Sequence, residues 1–174
     1  ECLVGSEMCI RDRDMTHAFL ESGKRAIAFF GSMDDPRDLS RFRGTELALA
    51  EHGLKAYHMA PRTISSVALG RQMFLQMQQT RPDIDAIFCT NDDLAVGVLL
   101  ECQAQGKAVP QEIAIAGFHG LEIGRARLQK IASVITPRYE IGKTASEILI
   151  ARLAGKDAPD SVNLAYQIYY GDTL

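Results

Sequence analysis

The chain has 174 residues, 47% hydrophobic and 24% charged, with a formal net charge of −3. That size and composition suit one globular domain, or parts of two small ones, with enough apolar material for a core. The charge lacks the basic footprint of a nucleic-acid binder, and no apolar run approaches the ~20 residues of a membrane helix.

Residues 1–13 hold two cysteines and mixed charges, with no sustained period. The run Cys-Leu-Val-Gly-Ser-Glu-Met-Cys-Ile-Arg-Asp resembles translated sequencing-adapter or vector sequence. Residues 1–13 are therefore expected to be a non-native or disordered leader, outside the fold. A short helix end follows over 15–22, stopped by Gly23. Residues 25–30 read as an apolar strand and 31–36 as a turn-rich loop. A helix over 39–51 is closed by Gly53, and 55–59 is a strand. Residues 60–66 form a loop around Pro61. The next helix, 67–79, places Gly70, Met73, Phe74 and Met77 on one face, where its methionines fill core gaps.

The stretch 85–97 is the most structured reading in the chain. Residues 86–89 are a short apolar run, suited to a buried strand. Thr90 and Asn91 break it with cap-type side chains, and Asp92 and Asp93 fall in the first turn of a helix. Leu94, Ala95, Val98, Leu99 and Cys102 then recur at helical spacing. After a connector over 106–110 come a strand over 112–116, a tight loop Gly117-Phe-His-Gly120 and a strand over 131–135. A helix over 140–153 is expected to turn Ile141, Ala145, Ile148 and Leu149 inward, and 163–169 is the last strand.

Alternating helices and strands with short connections predict an α/β fold with a parallel sheet flanked by helices. The loops at Gly31, Asn91 and His119 should then share the carboxyl edge, where open α/β sheets bind ligands. Two features sit awkwardly in a self-contained domain: an opening helix with no strand before it, and a βα pair near the end. The four cysteines, Cys2, Cys9, Cys89 and Cys102, show no metal-type spacing. They suggest a reducing cytoplasm without disulfides.

Several segments together carry a resemblance. They are Arg41-Phe-Arg-Gly44, Phe88-Cys-Thr-Asn-Asp-Asp-Leu-Ala-Val-Gly97, Val109-Pro-Gln-Glu-Ile-Ala-Ile-Ala-Gly-Phe118, Ser133-Val-Ile-Thr-Pro137 and Gly142. The chain from residue 14 onward resembles the second half of LacI/GalR-type transcriptional repressors. Gly117-Phe-His-Gly-Leu-Glu-Ile-Gly124, Ile135-Thr-Pro-Arg138 and Tyr166-Gln-Ile-Tyr-Tyr-Gly171 look most like the gluconate-operon branch. The resemblance implies a periplasmic-binding-protein-like core of two lobes, of which this chain holds mainly the C-terminal one. Residues 24–130 would form that lobe. Residues 14–23 and 131–154 would be pieces of the first lobe, and 155–174 a linker with a return strand.

The resemblance also implies a site. Arg41 matches a ligand-contacting arginine able to grip a carboxylate or paired hydroxyls; otherwise it is a solvated arginine on a helix face. Arg43 points elsewhere and reads as surface. Asn91 would contact a polyol hydroxyl, cap its helix, or do both. Asp92 reads as structural. His119 stands where the family usually has an aspartate. It can donate a hydrogen bond or carry positive charge, which favours an acid over a neutral sugar, or it simply fills a turn. Ser65 and Arg37 are weaker candidates, and Arg138 would reach across from the other lobe. His17, His52 and His58 read as surface.

The implied function is sensing of a sugar acid, gluconate above all, by a repressor whose DNA-reading domain is absent from this chain. Operator DNA would be a partner only through that domain. Such repressors pair as homodimers, here through apolar residues of 94–102 and 121–128. No catalytic set, phosphate loop, cofactor or metal cluster is expected, nor any membrane partner. The alternatives are a sugar-binding protein of the ABC-transport type and, more distantly, a flavodoxin-like enzyme.

Overall fold

The computed structural model describes residues 6–32 and 36–174. Its elements run α1 (Ser6–Glu21), β1 (Ile27–Phe30), α2 (Pro36–Ala50), β2 (Tyr57–Met59), α3 (Val67–Thr80), β3 (Ala86–Cys89), α4 (Asp92–Ala104), β4 (Ala114–His119), α5 (Glu122–Arg125), β5 (Ala132–Ile135), α6 (Arg138–Leu153) and β6 (Gln167–Tyr169). The strands form one sheet in the order β2-β1-β3-β4-β5-β6. All neighbours pair in parallel except β5 and β6, which run antiparallel. Chain order reverses between β1 and β3, so their carboxyl ends flank a crevice.

The apolar strand runs are explained by burial on both faces. In β1, Ala28 and Phe30 face one core with Met73, Phe74 and Met77 of α3 and Leu94, Val98 and Leu99 of α4. Ile27 and Phe29 face the other, with Met15 and Phe19 of α1 and Leu49 of α2. The predicted inward face of α3 is the buried one: Gly70, Met73, Phe74 and Met77. Two glycines let α3 meet α4. A Cβ on Gly70 would strike the Leu94 carbonyl, and one on Gly97 the Val67 carbonyl.

Several expectations are corrected. Ser6–Glu21 is one continuous helix, so residues 6–13 are ordered rather than disordered, which leaves the expectation of a non-native origin as it stood, and Asp12 has no exposed surface. Residues 1–5, Cys2 among them, lie outside the described residues, as does the side chain of Cys9. Residues 14–23, expected as a piece of the first lobe, pack on this sheet through Met15, Phe19 and Leu20. Residues 117–119 extend β4 instead of forming a loop. The segment 131–154 divides: β5 joins the sheet beside β4, whereas α6 buries no residue, leaving Ile141 and Leu149 exposed. A helix with apolar residues on every side of its axis has no stripe for this sheet to bury. Most apolar side chains of α4 are interior beneath α3, Leu100 being half-buried, so the large exposed apolar residues of the suggested pairing surface are Ile123 and Leu128. His58 is not simply surface, since its ring stacks on Phe42 at 4.0 Å.

Cys89 and Cys102 are free and buried, as small thiols in a core commonly are. Burial raises both thiol pKa values, that of Cys102 to about 12. No helix among the described residues is long and apolar enough to cross a membrane.

Candidate functional site

At the carboxyl edge of the sheet the chain encloses a cavity of about 520 Å³. Arg37, Arg41, Ser65, Asn91, His119 and Arg138 all line it. They come from five separate regions of the chain, and the parallel strands deliver them to one place. The carboxyl ends of β1, β3 and β4 meet there through Ser32, Asn91 and His119.

Arg41 is not a solvated surface residue. It is 4% exposed, and its guanidinium lies 3.5 Å from the centre of the Phe118 ring. Its Nε donates to Asp12 Oδ1 at 3.1 Å and Oδ2 at 3.2 Å, and Nη2 donates to Oδ1 at 2.9 Å. Nη1 donates to the Thr90 carbonyl and, at 2.8 Å, to the Thr90 hydroxyl. A buried cation persists only with this degree of pairing. Burial nevertheless outweighs Arg41's attraction, and the Asp12 carboxyl rises to a pKa of about 6.

Asp38, one helical turn before Arg41, is a site residue that the sequence reading missed. Its Oδ2 accepts from the Ser32 amide at 2.6 Å, and its Oδ1 accepts from the Thr90 hydroxyl. The i, i+3 spacing of Asp38 and Arg41 on one helix was the available signal. Phe118 and Thr90 are also on the cavity wall; the sequence showed Phe118 only as part of a tight loop and Thr90 only as a cap-type residue.

Asn91 caps α4: its Oδ1 accepts from the Leu94 amide at 3.0 Å. That leaves the side-chain NH₂ for the cavity, so the cap and a ligand contact are compatible. Arg37 and Arg138 are exposed at the rim, and Ser65 is half-buried. Arg43 is exposed.

His119 has a positive φ of 90°, which side-chain-bearing residues rarely adopt. Its Nδ1 sits 3.4 Å from Thr136 Oγ1. Burial, reinforced by Arg41, Arg138, Arg37 and Arg11, lowers its pKa to about 4. The imidazole is therefore neutral near pH 7. A neutral imidazole can donate one hydrogen bond and accept another.

Asp92 holds the backbone that follows His119. Its Oδ2 accepts from the Leu121 amide, and its Oδ1 accepts from the Ser133 hydroxyl at 2.7 Å. Ser133 in turn accepts from the Gly120 amide at 3.0 Å. Gly117 makes room, because a Cβ there would collide with the Asp92 carboxylate. Burial raises the Asp92 pKa to about 6 against these hydrogen bonds.

The cavity thus presents guanidinium, carboxylate, amide, hydroxyl and neutral imidazole groups, a set able to hydrogen-bond a small polar ligand. Among the described residues, no group of three His, Cys, Asp or Glu side chains is placed to hold a metal ion.

Comparisons with known proteins agree with this architecture. A periplasmic binding protein-like domain model matches residues 16–174. The HTH-type transcriptional regulator IdnR of Escherichia coli K12 is 47% identical over 163 residues, covering 92% of this chain and 49% of that protein. The regulator GntR of the same strain is 39% identical over 172 residues, covering 98% and 52% respectively. The crystal structure of transcription regulator GntR from Chromobacterium violaceum superposes with a TM-score of 0.91 at 32% identity, covering 95% of this chain and 62% of that one. The chain spans about half the length of the curated relatives it matches. It belongs to the LacI/GalR family of transcriptional regulators, within their periplasmic-binding-protein-like effector domain.

Proposed function

We propose that this chain is the effector-sensing part of a DNA-binding repressor and that its effector is a sugar acid of the gluconate type. The observation that carries the reading is the convergence of Arg37, Arg41, Ser65, Asn91, His119 and Arg138 on one cavity. Three arginines favour a carboxylate, whereas Asn91, Ser65 and neutral His119 suit hydroxyl groups. The regulators IdnR and GntR are relatives, which supports a regulatory role over an enzyme or an ABC-type solute binder.

In this reading the ligand sits between this lobe and a second one in the full-length protein, which would also cover the exposed apolar residues of α6. Ligand closure of the two lobes alters operator affinity by a coupling of ~1–3 kcal/mol, reciprocal between effector and DNA. The parent acts as a homodimer in the cytoplasm, and operator contact is made outside this chain. The test is a thermal-shift screen of sugar acids on the full-length parent. Gluconate should raise its Tm, and His119→Asp should weaken the rise by setting a carboxylate against an anion. No shift with gluconate or related aldonates would sink the ligand assignment.

A further inference from the structure

From Asp38 to Arg41 runs a chain of hydrogen bonds whose direction is fixed. Asp38 is buried, and its carboxylate is an acceptor only. It takes the Ser32 amide on Oδ2 at 2.6 Å and the Thr90 hydroxyl on Oδ1. A hydroxyl has a single proton to give. Once Asp38 holds it, the Thr90 oxygen meets Arg41 as an acceptor, and Nη1 donates to it at 2.8 Å. The Thr90 carbonyl accepts from the same nitrogen. The relay therefore ties α2 to the carboxyl end of β3 and, through Ser32, to that of β1. Ser32, Asp38, Thr90 and Arg41 all line the cavity. Every member lies within residues 16–174, the span of the matching domain model.

We propose that Asp38 is a positioning residue for effector binding: by taking the proton of the Thr90 hydroxyl, it holds the Arg41 guanidinium where the ligand's carboxylate meets it. This rests on the reading of Arg41 as a carboxylate contact in the effector site. Asp38 acts through Thr90 and needs no contact with the ligand. Without its carboxylate the Thr90 hydroxyl is free to rotate, and a proton turned toward Nη1 opposes the cation. Asparagine keeps the shape of Asp38 but has one acceptor and one donor group. Its oxygen replaces Oδ1 or Oδ2, and its NH₂ then meets the Thr90 hydroxyl or the Ser32 amide. Pairing of a guanidinium with a carboxylate is geometrically strict, so a displaced Arg41 grips an acidic ligand less well.

The first arm of the experiment is free of ligand and uses the whole chain. Urea midpoints are measured for Thr90→Val, Asp38→Asn and the two combined. Each single variant should lower the midpoint, and the combination should fall short of their sum, because both break the same relay. Additive losses overturn the proposal. The second arm measures gluconate by calorimetry on the full-length parent, with Arg41→Gln and Thr90→Ser added to the set. Thr90→Val, which keeps the side chain's shape, and Asp38→Asn should each weaken binding about tenfold. The combined variant should bind about as weakly as either alone. Thr90→Ser, which retains the hydroxyl, should lose less than Thr90→Val. Undiminished affinity in folded Thr90→Val or Asp38→Asn, where Arg41→Gln loses it, overturns the proposal and leaves the effector reading intact. Equal losses in Thr90→Ser and Thr90→Val also overturn it, since packing would then explain both. If Asp38→Asn fails to fold, Thr90→Ser and Thr90→Val decide alone. Absence of gluconate binding in every form refutes the sugar-acid reading, whereas non-additive losses in the first arm still uphold the relay.

Discussion

The Asp92 carboxylate allows a sharp test of how the site is held. It is 1% exposed, and it supports the Gly120–Leu121 backbone directly behind His119. Its pKa of about 6 in the folded chain stands above the 3.8 of a free aspartate. Between those values the folded protein keeps a proton that the unfolded chain has lost. Stability from the neutral carboxyl is thus fully present below pH 3.8 and lost as pH rises through 6. The full difference is about 3 kcal/mol. Asp92→Asn imitates the neutral acid and should not lose it. Asp92→Ala leaves the Leu121 amide and the Ser133 hydroxyl without their acceptor, costing about 2–4 kcal/mol at acid pH. Urea titrations near pH 4 and near pH 7.5 measure each form. Asp12 titrates in the same direction, but it is common to all three proteins and cancels in the differences. Relative to the unaltered chain, Asp92→Asn should gain about 2 kcal/mol on going to the higher pH, because near pH 4 part of the full difference is already lost. Parallel pH dependence in the two proteins would refute the argument that burial dominates at Asp92.

Gly97→Ala should destabilise the chain by about 1–3 kcal/mol despite the better helix propensity of alanine, because the added methyl meets the Val67 carbonyl across α3; a stability equal to or above the parent's would exclude that contact. Asn91→Ser should keep the α4 cap and cost under about 0.5 kcal/mol, whereas Asn91→Ala should cost about 1 kcal/mol. If the Asn91 amide also touches ligand, both variants weaken gluconate binding in calorimetry, and unchanged affinity in Asn91→Ser removes that role. Leu153→Ser, at a side chain 80% exposed, should change stability by less than about 0.5 kcal/mol in this chain, as read by urea midpoint.

The sequence carried its secondary structure clearly wherever two cues agreed. Residues 85–97 show the pattern well: an apolar run, cap-type residues and helical spacing locate β3, the Asn91 cap and the start of α4. The apolar face of α3 was legible for the same reason, since its period is a local property. Sequence cues were weaker where pairing decides structure. Residues 117–119 read as a loop because Gly117 and Gly120 are turn formers. In the fold they continue β4, held by pairing with β5 and by the space Gly117 leaves for Asp92.

The candidate site divides along the same line. The residue types and their order are properties of the sequence, as is the carboxyl-edge position of the three loops, which follows from strand–helix alternation. Their gathering into one cavity, the neutrality of His119 and the occupation of Arg41 by Asp12 depend on tertiary structure. Asp12 is 29 residues from Arg41, in a segment without periodicity. Only the packing of α1 beside α2 removes both from water and makes the pair obligatory. Charge state and partnership inside a fold follow from burial and distance, and local sequence encodes neither.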